Sequence, residues 1–148
     1  MIFSKKNISR RRFLQYSLFP ASTYLLSSSK SLSENFDTYM LKGPLAGNLY
    51  YTKERPGKWY NEVASHIPIV KKNSNLIEII TDHEMKGFEH YILKHVILDN
   101  QLKFISEKRF DPSKDAAFSK HDISGYISDI FILSICNVHD TWLSHIKL

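Results

Sequence analysis

Only one cysteine occurs among the 148 residues, Cys136, so no internal disulfide can tie the chain together, and that thiol is inert, reactive or metal-bound. No apolar run reaches the ~20 residues needed to cross a bilayer. The best stretch, from Phe13 to Leu26, is moderately polar and interrupted by Pro20. The formal charge of +5 is not spread along the chain. Six Lys/Arg and no acid fall in the first thirty-three residues, leaving 14 basic against 15 acidic residues from Glu34 onward. Without a surplus of cations there, a polyanion partner such as nucleic acid is argued against. Sustained helical periodicity and internal repeats are also missing, and the length suits one domain after any leader.

What the first thirty-three residues do contain is ordered: a basic region, an apolar region, then the Ser-rich run 27–33. Ser9-Arg10-Arg11-Arg12-Phe13-Leu14-Gln15 resembles the twin-arginine export motif, with Gln15 where Lys is more usual. The expectation is a signal peptide over 1–33, a mature domain over 34–148 and a periplasmic location. Export by that route generally carries folded proteins, so a cofactor loaded in the cytoplasm would survive the crossing. The bland alternative is a basic, disordered arm.

From Phe36 to Trp59 the chain scatters Gly43, Pro44, Gly47, Pro56 and Gly57 among aromatics, which predicts an irregular segment that needs no helix. Beyond it, five runs rich in Ile, Val, Tyr and Phe predict strands: 67–70, 76–81, 90–98, 102–110 and 126–136. Lys72-Asn73-Ser74-Asn75 and Asp99-Asn100 are the clearest turns, the second reading as a tight hairpin. The run 126–136 is broken only by Ser128, Asp129 and Ser134, so it belongs in the middle of a sheet. The pattern predicts an all-β fold, an antiparallel sandwich of the Ig-like type.

The chemistry concentrates in five residues beside predicted strand ends: His66, His83, His90, Cys136 and His139. Cys136 and His139 stand three apart, which lets one turn offer a thiolate and an imidazole to the same ion. His83 and His90 flank a short loop, which closes a metal chelate at little cost in chain entropy. Any one of these histidines is more often an ordinary surface residue. His95, His121 and His145 fit no motif and are read as ordinary.

Ser65-His66-Ile67-Pro68, His83-Glu84-Met85, Glu89-His90-Tyr91-Ile92 and Cys136-Asn137-Val138-His139 resemble, in this order, four motifs of the superoxide reductase family, also called neelaredoxin or the desulfoferrodoxin iron domain. The resemblance implies an Ig-like sandwich with mononuclear Fe2+/Fe3+. Four equatorial nitrogens would come from His66, His83, His90 and His139, one axial sulfur from Cys136, with the sixth position open. It implies reduction of superoxide to hydrogen peroxide, with electrons from a separate donor protein, and association between copies of the chain. Imidazoles suit Fe(II), and a thiolate opposite an open position pushes electron density toward a bound oxygen species. The backbone amides of Asn137 and Val138 are the nearest donors to that sulfur, and at least one is expected to point at it.

The chain departs from the family pattern in places. Ser65 stands where many members have a Lys poised over the open site; Glu62 and Lys58 are the candidates to replace it, each matched only by proximity. Asp140 stands where Gly often follows the last ligand. With one cysteine, the separate four-Cys iron centre of some relatives is excluded. Two other readings remain at this level. A blue-copper carrier wants two histidines, one thiolate and often a downstream Met, but no Met follows His139. A periplasmic Ig-like binding module would use the histidines only for packing. A structural zinc site would want four ligands rather than five.

Overall fold

The computed structural model describes residues 36–148. The signal-peptide assignment to 1–33 lies outside those residues. Seven strands form two antiparallel sheets: β1 (Ile69–Asn73), β2 (Leu76–Ile80), β3 (Ile92–Asp99), β4 (Phe104–Arg109), β5 (Phe118–Asp122), β6 (Ile130–Cys136) and β7 (Thr141–Ile146). One sheet has the order β1-β2-β5 and the other β4-β3-β6-β7, an Ig-like sandwich as the strand pattern predicts.

The sheets close on Ile77, Ile79, Ile97, Ile123, Ile130 and Ile132, all buried. Alternation along β6 sends Ile130 and Ile132 into that interface and Phe131 to the opposite face. There Phe131, with Leu143 of β7, meets Met40, Ala46 and Tyr50 from the chain that covers the outside of the four-stranded sheet. With both faces buried, β6 reads as a continuous apolar run and lies inside its sheet. Toward one end the interface turns polar. His95, fully buried, meets Ser119 Oγ at 2.8 Å and Thr81 Oγ1 at 2.9 Å, and Thr81 donates to Ser134 at 2.9 Å. Every member of this network has a partner, which removes most of the cost of burying it.

Several elements differ from the sequence reading. Residues 36–42 form a helix, α1, rather than an irregular segment. It holds because Met40 is buried and Phe36 and Leu41 pack onto the sheet, so tertiary burial supplies what isolated propensity lacks. The run 126–136 becomes a strand only from Ile130; Gly125 at φ 86° redirects the chain and leaves Ile127 94% exposed. The Asp99 turn is wider than a two-residue hairpin, because Asp99 Oδ1 accepts from the amides of Gln101 and Lys103 and delays β4 to Phe104. The Ser74-Asn75 turn does join β1 to β2 directly, Asn73 pairing with Leu76.

Antiparallel pairing also decides where the candidate ligands go. Ile92 at the start of β3 pairs with Cys136 at the end of β6, and β2 finishes nearby, since Thr81 bonds to both β3 and β6 side chains. The segments holding His83, His90, Cys136 and His139 therefore emerge at one end of the sandwich.

Candidate metal centre

His66 closes a single helical turn, α2 (Val63–His66), that follows a 3-10 turn over Gly57–Trp59. Its ring Nδ1 lies 3.0 Å from the Glu62 carbonyl and 2.8 Å from Ser65 Oγ. A carbonyl can only accept, so Nδ1 carries the proton and Nε2 is left bare. The Trp142 ring, fully buried, lies against His66 at 5.6 Å, and its Nε1 donates to the His139 carbonyl at 2.9 Å. One buried indole thus seats two of the five side chains.

His83 and His90 sit on either side of a tight loop closed by the Lys86 amide donating to the His90 carbonyl at 2.9 Å, with Gly87 at φ 56°. Cys136 and His139 belong to the turn between β6 and β7, which the Cys136 amide closes onto the Asp140 carbonyl. That closure puts Asp140 at φ 64°, a left-handed conformation that Gly adopts freely and Asp tolerates. The preference for Gly after the last ligand thus has a backbone cause here. Asp140 also accepts from Trp59 Nε1 at 3.0 Å and pairs with Lys58 at 3.2 Å.

The five donor atoms all lie within 4.8 Å of one another. His83 Nε2 is 3.0 Å from His90 Nε2, His90 Nε2 is 3.0 Å from His139 Nδ1, and His139 Nδ1 is 3.0 Å from His66 Nε2. Neighbouring rings stand 4.4–4.7 Å apart and nearly perpendicular, while the opposite pair His66 and His90 is 6.0 Å apart. The nitrogens therefore mark the corners of a square. Its centre is ~2.1 Å from each corner, the length of an imidazole bond to a first-row divalent ion. Cys136 Sγ is 3.8 Å from His83 Nε2 and 3.9 Å from His139 Nδ1, two opposite corners, so it sits over the middle. A short approach of the sulfur would complete a fifth bond.

The protonation states fit the same ion. Burial first, and the neighbouring imidazoles second, push His66 down to about 3 and lower His83 and His90. These rings are neutral near pH 7, as a ligand must be. Burial raises the Cys136 thiol, opposed by the Val138 and His139 amides. Val138 N donates to Sγ at 3.4 Å, as expected, whereas the Asn137 amide bonds instead to the Tyr91 carbonyl. Four imidazole nitrogens and a sulfur gathered within 4.8 Å of one another suit a single cation between them, and five donors exceed what either a tetrahedral zinc or a two-histidine copper site uses.

Beside the square, with Cys136 absent from its walls, a cleft of about 230 Å³ is lined by Glu62, Ser65, His66, His83, Glu84, Lys86 and His90. Glu62 lines that cleft, its Oε2 accepting from Ser65 Oγ at 3.3 Å. Lys58 does not line the cleft; it is held by Asp140 with its Nζ 4.7 Å from the Trp59 ring. The cation at the cleft is Lys86, paired with Glu84 at 2.8 Å. No sequence motif marks Lys86; only the loop's turn toward His90 places it.

An Ig-like sandwich carrying a four-histidine, one-cysteine group able to hold a metal ion defines the class of this protein. No family model and no curated protein matches the chain. Among solved structures it is similar to superoxide reductase (neelaredoxin) from Ignicoccus hospitalis, with a TM-score of 0.57, 15% identity and coverage of 69% of this chain and 95% of that one. A variant of the same protein gives a TM-score of 0.61 at 16% identity, covering 69% and 94%. Superoxide reductase (1Fe-SOR) from Giardia intestinalis gives 0.51 at 18% identity, covering 57% and 98%. At these identities the likeness establishes the fold.

Proposed function

We propose that this chain is a non-haem iron oxidoreductase that reduces superoxide to hydrogen peroxide. The observation that carries the reading is the ring of four imidazole nitrogens, three successive pairs of them 3.0 Å apart, with one sulfur over its middle. His66, His83, His90 and His139 would hold iron by nitrogen and Cys136 by sulfur. Iron held there supplies the one-electron Fe2+/Fe3+ couple that the reaction needs.

The residues around the ion have separate roles. Lys86 draws the superoxide anion toward the cleft, and the neighbouring Glu84 moderates that field. Glu62 reaches the same cleft and is placed to pass protons inward; superoxide takes up one electron and two protons to become hydrogen peroxide. Glu62 also fixes His66 through its carbonyl, so one residue serves both the cleft and the ligand behind it. Ile92, Phe110, Ala117 and Met85 pack around Cys136 and keep water from the sulfur side.

With a single cysteine the chain cannot carry a four-thiolate iron centre of its own, so a separate donor protein restores the electron. The twin-arginine-like leader supports export to the periplasm as a folded iron protein, and the family resemblance supports association between copies. A superoxide decay assay on iron-loaded protein with a reductant present tests the reading. The expected yield is one hydrogen peroxide per superoxide with no dioxygen released. Dioxygen release would mean dismutation, and unchanged decay would leave a metal protein of another kind.

A further inference from the structure

A second group of donors lies at the far end of β7. His145 is four residues beyond Thr141, where β7 begins beside the His139 turn, ~13 Å along the strand. Its Nε2 faces Asp37 Oδ2 and Asp129 Oδ2, each at 3.4 Å. The three residues come from α1, from the bend before β6 and from β7. The side chains of His145 and Asp37 are each only 9% exposed. Both facing atoms, His145 Nε2 and Asp37 Oδ2, are buried with no hydrogen-bond partner among the described residues.

Such an arrangement needs a cause, because buried polar atoms are nearly always satisfied. A proton shared between imidazolium and carboxylate would draw nitrogen and oxygen to ~2.7–2.9 Å. The observed 3.4 Å is instead the separation of two ligands on one ion, ~2.1 Å from each and subtending a tetrahedral angle. Charge points the same way. Two carboxylates bring two negative charges to a place covered by Phe131, whose ring is 5.0 Å from that of His145. A proton on the imidazole would cancel half of this and a divalent cation all of it.

We propose that Asp37, Asp129 and His145 form a second metal site that takes a zinc-type divalent cation and fastens α1 to the edge of β6 and β7. Two hard oxygens and one imidazole suit such an ion, and the absence of a thiolate sets it apart from the five-donor centre. Its role is structural, because the ion would cross-link residues 36–42 of α1 to the strands beneath. This assignment stands independently of the superoxide reading, since it shares no residue with it.

The test titrates zinc into iron-loaded protein and into a Cys136→Ser variant, reading bound metal per chain and Tm. One zinc beyond the first centre is expected in both, with a Tm that climbs as zinc is added. Asp37→Asn and Asp129→Asn should each abolish that zinc and its Tm gain while leaving the first centre's visible absorption unchanged. Asp129, the less buried of the two, covers the case in which Asp37→Asn unfolds α1. Cobalt in place of zinc should give tetrahedral bands without a sulfur charge-transfer band. Either of two results overturns the proposal: no zinc beyond the first centre, or zinc uptake that both Asn variants leave unaltered.

Discussion

The side-chain amide of Asn137 brackets His90. Its Oδ1 accepts from the Tyr91 amide at 2.9 Å, and its Nδ2 donates to the Glu89 carbonyl at 3.0 Å and the Phe88 carbonyl at 3.3 Å. The turn that presents Cys136 and His139 is thereby pinned to the loop that presents His90, and three of the five donors move as a unit.

Asn137→Ala should therefore weaken metal binding by about 10–100-fold, the range found when groups that orient metal ligands are removed. Asn137→Asp keeps the acceptor and loses both donors, so it should fall in between. Competition with a chelator of known affinity measures both.

Lys86→Glu should slow the reaction with superoxide by roughly 10-fold and invert its dependence on ionic strength, because the cleft's nearest cation becomes an anion. Lys58→Ala should change the rate little, its charge being held by Asp140 outside the cleft. Stopped-flow rates across a salt series distinguish these outcomes.

Asp140 at φ 64° sets up a graded comparison. Asp140→Ala forfeits the Trp59 and Lys58 contacts and keeps the strained backbone, whereas Asp140→Gly forfeits the contacts and relaxes the backbone. Asp140→Gly should be more stable than Asp140→Ala by about 1 kcal/mol in denaturant unfolding.

The buried polar network predicts acid sensitivity. Burial lowers His95 from 6.5 to about 3, so the folded state keeps it neutral where the unfolded chain protonates it. Its contribution to stability is present above pH 6.5 and is lost as pH falls toward 3. Between those values the unfolded state binds more protons, and stability should fall with pH by up to ~1.4 kcal/mol per pH unit from this group. Denaturant midpoints for wild type and His95→Gln should show a shallower slope in the variant over that window.

The sandwich was legible because β6 is apolar on both faces, and the five grouped donors stood out because four of them fall in short motifs beside strand ends. Strand β5 was not, since its inward residues are Ser119 and His121 and its outward ones include Phe118, the reverse of the usual alternation. Strand β7 was missed for a related reason: Ser144 and His145 interrupt its apolar pattern. Helix α1 depends on contacts with Phe131 and Leu143, far along the chain, which no local pattern reports. Asn137 stands in a legible motif, but its pinning role was not legible, because a side chain that bonds to a distant loop looks in sequence like any polar turn residue. His145 was read as ordinary, its facing carboxylates lying at positions 37 and 129.

X-ray absorption at the iron edge of the loaded protein reads the ligand set itself. Four nitrogen scatterers near ~2.1 Å and one sulfur slightly further out are expected, the sulfur vanishing in Cys136→Ser. Iron that shows no sulfur in the wild-type protein, or a chain that takes up no iron, would overturn the assignment of the five-donor centre.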